Sequence, residues 1–417
     1  MIDIEAIRST TEAVAKNLAR RGVPKEQVEA LAALDTKWRR LTESTDALRS
    51  QQNVANKEIS AASGEERQKL ITTMKTAAQE LKQTENELQQ VAADRLSAWR
   101  QLPNLVADDV PEGGEQDFAV VTEVGSPAQD KQRKHYLDLV PSLVDLDRAA
   151  KVSGSRFVYL KGQLARLEFA LVSYAMDVLS EKGFTPVVPP VLLKEEAMAG
   201  MGYLDHDGDE IYRTQDDLYL AGTSEQPIGA MHSDEILDLA ALPARYVGFS
   251  TCFRREAGSH GKDVRGMLRV HQFDKVEMFS LTTPDKSTEE HEFILEMQRA
   301  LLNSLQLPYR VINIATGDLG APATKKYDIE TWLPGEGVYR ETNSASNTTD
   351  YQSRRLNIRY RTGEGKKQYV HMLNGTAFAI GRILIALTEN HQQADGSIVI
   401  PEALHPYLPF TSIAAPE

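Results

Sequence analysis

One cysteine, Cys252, stands among the 417 residues of this sequence, so an internal disulfide is excluded and a thiolate-rich zinc site is not expected. No run of apolar residues approaches the roughly 18 that a membrane-spanning helix needs. The N-terminal segment, MIDIEAIRSTTEAVAK, also lacks the apolar core of a secretory signal. These absences predict a cytoplasmic protein that is stabilised by packing.

The glycine fingerprints of common nucleotide-binding folds are missing as well, since neither GxGxxG nor GxxxxGK[ST] occurs. A net charge of -13 gives no general attraction to nucleic acid, and only a local cluster of Lys and Arg would provide one. The chain is too long for one ordinary compact domain, so its length predicts two.

The N-terminal quarter carries the spacing of a coiled coil. From Leu31 to Ile59 seam residues recur at alternating steps of three and four, and the spacing resumes from Leu70 to Val91 after a turn-like stretch at residues 60–66. The pattern predicts an antiparallel helical hairpin with limbs about 50 Å long. Most coiled coils are assembly devices, and the mixed charge of these limbs does not indicate a nucleic-acid partner.

Residues 108–125 are rich in Gly, Pro and acidic residues, which predicts a linker. We therefore expect a first domain over residues 1–107 and a second over residues 108–417. In the second domain, strand-like and helical patterns follow each other without regular βαβ alternation, which favours an α+β fold on an antiparallel sheet. The strand-like runs are residues 246–253, 275–280 and 309–314, and the helical ones are residues 164–182 and 289–305.

The segment from Phe253 to Glu277 carries the strongest chemical signal. Two strand-like ends flank a glycine-containing loop, and six basic residues stand against three acidic ones between Arg254 and Lys275. Arginine forks suit phosphate oxygens, an aromatic ring can stack on a purine, and a glycine-rich loop can close over a nucleotide. By composition alone, a charged surface hairpin is the commoner explanation.

The same segment, FRRE followed by RVHQFDKVE, closely resembles motif 2 of the class II aminoacyl-tRNA synthetases in its seryl form. The resemblance implies that Glu277 binds the substrate serine. It also implies an ATP site with Arg254 at the α-phosphate, Phe273 stacked on adenine, and Arg255, Glu256 and the backbone around Val270 along the nucleotide.

A second likeness concerns Thr223, Ser224 and Glu225, which resemble the Thr-Ala-Glu loop that holds serine in the seryl enzymes. Ser224 takes the place of the alanine. Alone, this tripeptide is more often an ordinary helix cap.

A third likeness starts at residue 340, where RETNSASN resembles REIxSxSN. It implies ATP contacts at Glu341, Thr342, Asn343 and Ser344, with Mg²⁺ on Glu341 and Ser344. Without the resemblance, Glu341 could equally pair with a surface arginine.

Residues 373–382, LNGTAFAIGR, resemble motif 3 of this family, usually LNGSGLAxGR. The likeness places Arg382 at the γ-phosphate and the Thr376 hydroxyl at the substrate, whereas Ala377 replaces a glycine. Residues 183–190 resemble motif 1, which ends in its proline, Pro190, and forms the interface of a homodimer. A proline between a helix and a strand is otherwise commonplace.

The likeness covers essentially the whole chain, which is identified as a member of the bacterial-type seryl-tRNA synthetases. It implies an ATP-dependent ligase that makes seryl-adenylate through Arg254, Glu341 and Arg382 with Mg²⁺. It further implies transfer of serine to tRNA(Ser) and to tRNA(Sec), with the N-terminal coiled coil reaching the long variable arm of the tRNA.

Two readings from other classes remain open. A shortened relative of these enzymes charges a carrier protein instead of tRNA, but it lacks the hairpin arm that this sequence has. A noncatalytic paralogue used for RNA binding or assembly would be expected to lose Arg254, Glu277, Glu341 or Arg382. All four are present.

Overall fold

The computed structural model describes residues 1–127, 133–206, 208–257 and 265–416. Tertiary contacts divide the chain into two compact units, Ile2–Leu105 and Val106–Glu417. The tip of the glycine-containing loop expected to close over a nucleotide, residues 258–264, lies outside the described residues. In the described part of the chain, no helix is both long and apolar enough to cross a membrane.

The first unit is helical, and its two long helices form the predicted antiparallel hairpin. They have 37 residues each, which at 1.5 Å per residue gives about 55 Å. Seam positions such as Leu41, Leu81 and Val91 are buried between the limbs, so the fold prediction for this unit is confirmed. The helices are α1 (Ile4–Ser9), α2 (Thr11–Ala19), α3 (Lys25–Ala61) and α4 (Gly64–Arg100).

A buried carboxylate ties these helices together. Asp35 on α3 accepts hydrogen bonds from Arg8 Nε on α1 and Arg95 Nε on α4, both at 2.7 Å. The Arg95 guanidinium also lies over the rings of Trp38 and Trp99, at 4.7 and 4.9 Å from their centroids. Burial opposes ionisation of Asp35, but the hydrogen bonds from the two arginines outweigh it and lower the pKa of the carboxyl group.

The second unit is built on an eight-stranded sheet with the strand order β1-β10-β11-β12-β15-β9-β8-β4. All neighbours in it are antiparallel except β4 and β8, so the predicted α+β fold on an antiparallel sheet is confirmed. Its strands are β1 (Ala119–Val124), β4 (Thr185–Val187), β8 (Ala244–Phe253), β9 (Gln272–Thr282), β10 (Tyr309–Asn313), β11 (Lys325–Leu333), β12 (Val338–Asn347) and β15 (His371–Ala379).

Short strands and eight helices complete the described part of this unit. The short strands are β2 (Val144–Asp145), β3 (Tyr159–Leu160), β5 (Leu192–Leu193), β6 (Tyr219–Leu220), β7 (Ile236–Asp238), β13 (Arg359–Arg361), β14 (Lys367–Tyr369), β16 (Ile398–Val399) and β17 (Ser412–Ile413). The helices are α5 (Tyr136–Leu139), α6 (Leu146–Ser153), α7 (Gly162–Glu181), α8 (Glu195–Met201), α9 (Glu225–Ala230), α10 (Ser287–Ser304), α11 (Tyr351–Leu356) and α12 (Ile380–Asn390).

The largest apolar core lies where α7, α10 and α12 pack against the central strands. Leu171, Ile294 and Leu384 from these helices are fully buried together with Val276 and Met278 of β9. Since successive side chains of a strand point to opposite faces of the sheet, the intervening residues of β9 are free to line a different environment.

The structure contradicts the linker expected over residues 108–125 in two places. Val110 is buried against Ile312 and Ile314, and Ala119–Val124 forms β1, an edge strand paired with β10. Glycines and acidic residues dominate the composition of this segment, whereas Val110 and Val124 pack against apolar clusters and backbone pairing with β10 places residues 119–124 in the sheet.

We predict that Asp35→Asn destabilises the first unit by about 3 kcal/mol, because it leaves Arg8, Arg39 and Arg95 without their buried partner. Chemical denaturation followed by far-ultraviolet circular dichroism measures the change. The folded pKa of Asp35 is lowered, so its contribution is present above the unfolded pKa and is lost as the pH falls through the folded one. The difference between variant and wild type should therefore shrink below about pH 4.

Glu87→Gln is the matched control, since Glu87 pairs with Lys37 on the exposed surface of the same hairpin. We expect no measurable change from it. Equal effects of the two variants would contradict a special role for the buried carboxylate.

Candidate active site

A cavity of about 390 Å³ opens on the second unit, and its walls carry most of the residues that the motifs had singled out. Strand alternation explains part of this: Lys275 and Glu277 of β9 line the cavity, while Val276 and Met278 between and beyond them belong to the core. The predicted residues that line it are Thr223, Glu225, Arg254, Glu256, Val270, Phe273, Glu277, Glu341, Thr342, Ser344, Thr376 and Arg382.

Three predicted residues are not in the cavity wall. Arg255 is exposed, and its backbone N–H donates to the carbonyl of Glu210. Ser224 is fully buried and donates its hydroxyl to the carbonyl of Gly248. Asn343 on β12 is buried as well, and its side-chain amide donates to carbonyls of the neighbouring strand β15.

The Asn343 amide has a clear structural task. Its Nδ2 donates to the carbonyls of Thr376 at 3.0 Å and Ala377 at 2.7 Å, and its Oδ1 accepts from the Thr342 hydroxyl. These bonds join β12 to β15 immediately below the cavity wall. The side chain is therefore engaged by the protein itself, and a contact of Asn343 with the nucleotide stays a prediction.

One end of the cavity holds two buried carboxyl groups. Glu225, the first residue of α9, accepts hydrogen bonds from the Tyr203 hydroxyl at 2.9 Å and from Gln352 Nε2 at 3.2 Å. Glu277 on β9 forms an ion pair with Lys275 at 2.7 Å and accepts from the Thr376 hydroxyl at 3.0 Å. Carboxylates beside hydroxyls suit a ligand that has both an amine and a hydroxyl group.

Charge is concentrated unevenly at this end. Burial raises the pKa of Glu225, and the nearby Glu277 raises it further, while Lys275 acts in the opposite direction. The two carboxyl groups face only one buried ammonium among their described neighbours. A positively charged ligand would therefore be stabilised there.

The other end is dominated by cations around Glu341. Burial disfavours the Glu341 carboxylate, but Arg382, Lys326 and Arg254 outweigh it and lower the pKa to about 2. Arg382 donates to the Glu341 carbonyl at 2.7 Å and lies 3.4 Å from its carboxylate. Guanidinium and ammonium groups clustered in this way suit the oxygens of a polyphosphate.

The ring of Phe273 provides an apolar wall near these cations. The Arg254 guanidinium lies over it at 5.3 Å from the centroid, and Arg269 holds Glu256 through an ion pair at 2.7 Å. Glu256 has a φ of 52°, an uncommon value for a residue other than glycine, at the point where the chain leaves β8. An aromatic face beside guanidinium groups can accept a flat heterocycle.

Two β-bulges lie next to cavity residues. A register shift between β11 and β12 falls at Thr342, directly after Glu341, and another between β15 and β9 leaves Ala377 unpaired beside Thr376. Bulges redirect side chains at sheet positions that need them. Ala377 stands where the resembled family has glycine, and it is accommodated with no exposed surface.

Sequence reasoning missed several cavity residues. Lys275 and Gln352 lie inside the motifs, but the motifs do not show that Lys275 pairs with Glu277 two residues away or that Gln352 donates to the distant Glu225. Tyr203 and Lys326 lie outside every recognised motif, and no sequence signal could have found them. Arg269 was visible as part of a basic segment, but its pairing with Glu256 was not.

The donors at the cationic end fit a magnesium ion. Glu341 is ionised across the physiological range and Ser344 offers a hydroxyl, and oxygen donors that leave room for phosphate oxygens are what Mg²⁺ prefers. Over the described residues, no cluster of three or more His, Cys, Asp or Glu side chains forms a site that protein groups alone could fill.

Comparisons with known proteins agree with this geometry. Residues 1–106 match the family model for the seryl-tRNA synthetase N-terminal domain, and residues 210–391 match that for the tRNA synthetase class II core domain (G, H, P, S and T). The serine--tRNA ligase of Thermobifida fusca is 47% identical over 412 residues, which covers 98% of this chain and 97% of that protein.

Solved structures give the same result. A crystal structure of seryl-tRNA synthetase from Pyrococcus horikoshii complexed with ATP is 40% identical, with a TM-score of 0.93 and full coverage of both chains. The cytoplasmic serine-tRNA ligase of Naegleria fowleri in complex with AMP is 34% identical, with a TM-score of 0.89, and covers 100% of this chain and 99% of that one.

We predict that Asn343→Ala lowers the free energy of unfolding by about 2 kcal/mol, since it removes the side-chain donor of the buried Ala377 carbonyl and one of the two side-chain donors of the Thr376 carbonyl. Denaturant unfolding measures it. Asn303→Ala is the control, because Asn303 is exposed on α10 and accepts only from the Tyr309 hydroxyl, so its loss should have little effect. An unchanged stability of Asn343→Ala would contradict the structural role of this side chain.

Proposed function

This chain belongs to the seryl-tRNA synthetases of bacterial type, and on that basis we propose that it activates L-serine with ATP to seryl-adenylate and transfers the serine to tRNA(Ser). The observation that carries the proposal is the division of one cavity into two ends. Glu225 and Glu277 occupy one end, and Arg254, Lys326 and Arg382 surround Glu341 at the other.

In the first step, the serine carboxylate attacks the α-phosphorus of ATP in line and pyrophosphate leaves. Arg254 contacts the α-phosphate, and Arg382, in the first turn of α12, reaches the γ-phosphate. No side chain acts as a covalent nucleophile. Catalysis then consists of positioning the two substrates and stabilising the charge on the phosphate oxygens.

ATP is held further along the same wall. Its adenine stacks on Phe273, with Glu256, Thr342 and the backbone around Val270 beside the nucleotide. Glu341 and Ser344 would hold Mg²⁺, which when bound neutralises negative charge on the phosphates. Arg255, which is exposed outside the cavity, is assigned no part in this step.

Serine is selected by the carboxyl end of the cavity. Glu225 receives the ammonium group, while Glu277 and the Thr376 hydroxyl meet the serine hydroxyl, and Thr223 completes the wall. A site whose buried polar groups require a hydroxyl partner strongly rejects an analogue that lacks one. Alanine is therefore excluded.

The helical hairpin serves the second substrate. Exposed Lys57, Arg67 and Lys75 lie along its outer half, where scattered cations can follow an RNA backbone whose shape is recognised. We assign this arm to the long variable arm of tRNA(Ser) and, because the same feature is expected there, of tRNA(Sec).

The proposal extends to a homodimer in the cytoplasm. Phe169 on α7 and Val188 after β4 are 65% and 81% exposed; Val188 belongs to the segment that resembles motif 1, and Phe169 lies on the helix that precedes it. Large exposed apolar side chains on neighbouring elements are typical of a surface that another subunit covers.

We predict that pyrophosphate exchange with each of the twenty amino acids is fastest with serine, and that Arg254→Ala lowers serine-dependent exchange about 1,000-fold or more. The reason is the loss of a cation at the α-phosphate, where charge builds up. Arg255→Ala is the matched control, because it removes the neighbouring arginine outside the cavity, and it should stay within about threefold of wild type.

Preferred activation of threonine or glycine would overturn the substrate assignment. Full exchange activity in Arg254→Ala would refute the role of that residue while leaving the family unchanged.

We predict that the combined change of Lys57, Arg67 and Lys75 to Gln raises the KM for tRNA(Ser) about tenfold and reduces the salt dependence of charging, because phosphate contacts are lost. Serine-dependent exchange without tRNA should be unaffected. The control changes Glu58 and Glu65 to Gln on the same arm. Equal charging by all three proteins would contradict a role of the arm in tRNA binding.

A further inference from the structure

Lys275 is a buried cation to which the proposed reaction assigns no task. Its side chain is 7% exposed and pairs with Glu277, which is 3% exposed, at 2.7 Å. The two residues stand two positions apart on β9 and so share the face of the sheet that lines the cavity. Burying this pair is costly, and a neutral pair of similar size would often serve stability equally well.

The contacts of Glu277 are arranged around one of its two oxygens. Lys275 Nζ and the Thr376 hydroxyl both contact Oε2. This leaves Oε1 as the oxygen for a ligand hydroxyl. Lys275 therefore orients the Glu277 carboxylate as well as providing a positive charge beside it.

Glu225, the second carboxyl group, accepts hydrogen bonds from two neutral side chains. Tyr203 contacts its Oε2 and Gln352 its Oε1. Burial raises the pKa of Glu225. The nearby Glu277 raises this pKa further, so the two carboxyl groups interact electrostatically.

The remaining charged or titratable groups facing this pair are on or after β8. Cys252 is fully buried, and burial raises the pKa of its thiol, so it contributes no charge. Arg254, which follows β8, acts on Cys252 and on Glu341. The carboxyl end thus contains two acids and one cation.

We propose that Lys275 is the positioning residue of the amino-acid site, where it compensates the negative charge of Glu277. No such cation compensates Glu225 among the described residues, and the ammonium group of the substrate supplies this missing positive charge. This inference rests on the proposed function and identifies Lys275 as the residue that sets the net charge of its substrate site. Serine then enters a site where each carboxylate has one cation, and an uncharged amine does not complete the balance.

The consequence is a defined pH dependence of serine binding. Without ligand, the uncompensated carboxyl tends to hold a proton, and the ammonium group must replace that proton. The apparent affinity for serine therefore falls as the pH falls through the pKa of the free site. Removing the Lys275 charge moves this acidic limb to higher pH.

The test is the KM for serine in pyrophosphate exchange from pH 5.5 to 8.5, for wild type, Lys275→Met and Lys275→Arg. In Lys275→Met we expect the acidic limb to move up by about one pH unit or more, so that KM rises about tenfold near pH 7 and the difference narrows at pH 8.5. Lys275→Arg should keep the limb of the wild type. The KM for ATP should stay within about twofold in both.

A compensating variant separates charge from packing. Lys275→Met combined with Glu277→Gln again leaves one carboxyl without a cation, so its acidic limb should return to the wild-type position even though KM stays raised. If Lys275→Met does not fold, this double variant and Lys275→Arg still test the inference. A displaced acidic limb in the pH profile of either variant would overturn it.

A KM raised equally at every pH in Lys275→Met would show that Lys275 acts through packing only, and would overturn the inference while leaving the proposed function intact. Absence of serine-dependent exchange in the wild-type protein would overturn both. The two failures are therefore distinguishable in one set of measurements.

Discussion

The burial of two carboxyl groups, Glu225 and Glu277, within one small cavity is the constraint on which the rest of the site depends. Like charges in a poorly solvated space repel each other, and each must be stabilised by the protein or by a ligand. Lys275, Tyr203 and Gln352 come from three separate segments to do this. A site that lacks one cation is thereby built into the fold, beside a second cluster in which Arg254, Lys326 and Arg382 surround Glu341.

The sheet provides the precision that these charges need. Alternation along β9 sends Glu277 to the cavity and Met278 to the core, so the strand that holds the helices in place also holds the ligand groups. Asn343 joins β12 to β15 from below, and bulges at Thr342 and Ala377 adjust the side chains nearby. The core and the site are two faces of the same strands.

Motif reasoning located the site but did not separate its wall from its support. Arg254 and Arg255 are adjacent, chemically identical and both follow the last residue of β8, yet Arg254 lines the cavity and Arg255 is exposed. Thr342 lines the cavity, whereas the buried Asn343 next to it supports the sheet. A motif records which residues occur together, and it does not distinguish a residue that contacts a ligand from one that supports its neighbour.

The sequence by itself determined the helical hairpin and the α+β class, and it predicted twelve of the residues that line the cavity, since apolar periodicity and short motifs are local features of the chain. Only the tertiary structure decided that Asp35 joins three helices, that residues 119–124 form an edge strand, and which partners Glu225 and Glu277 have. Those contacts join residues far apart in the chain, and their energies depend on burial, which no local pattern encodes.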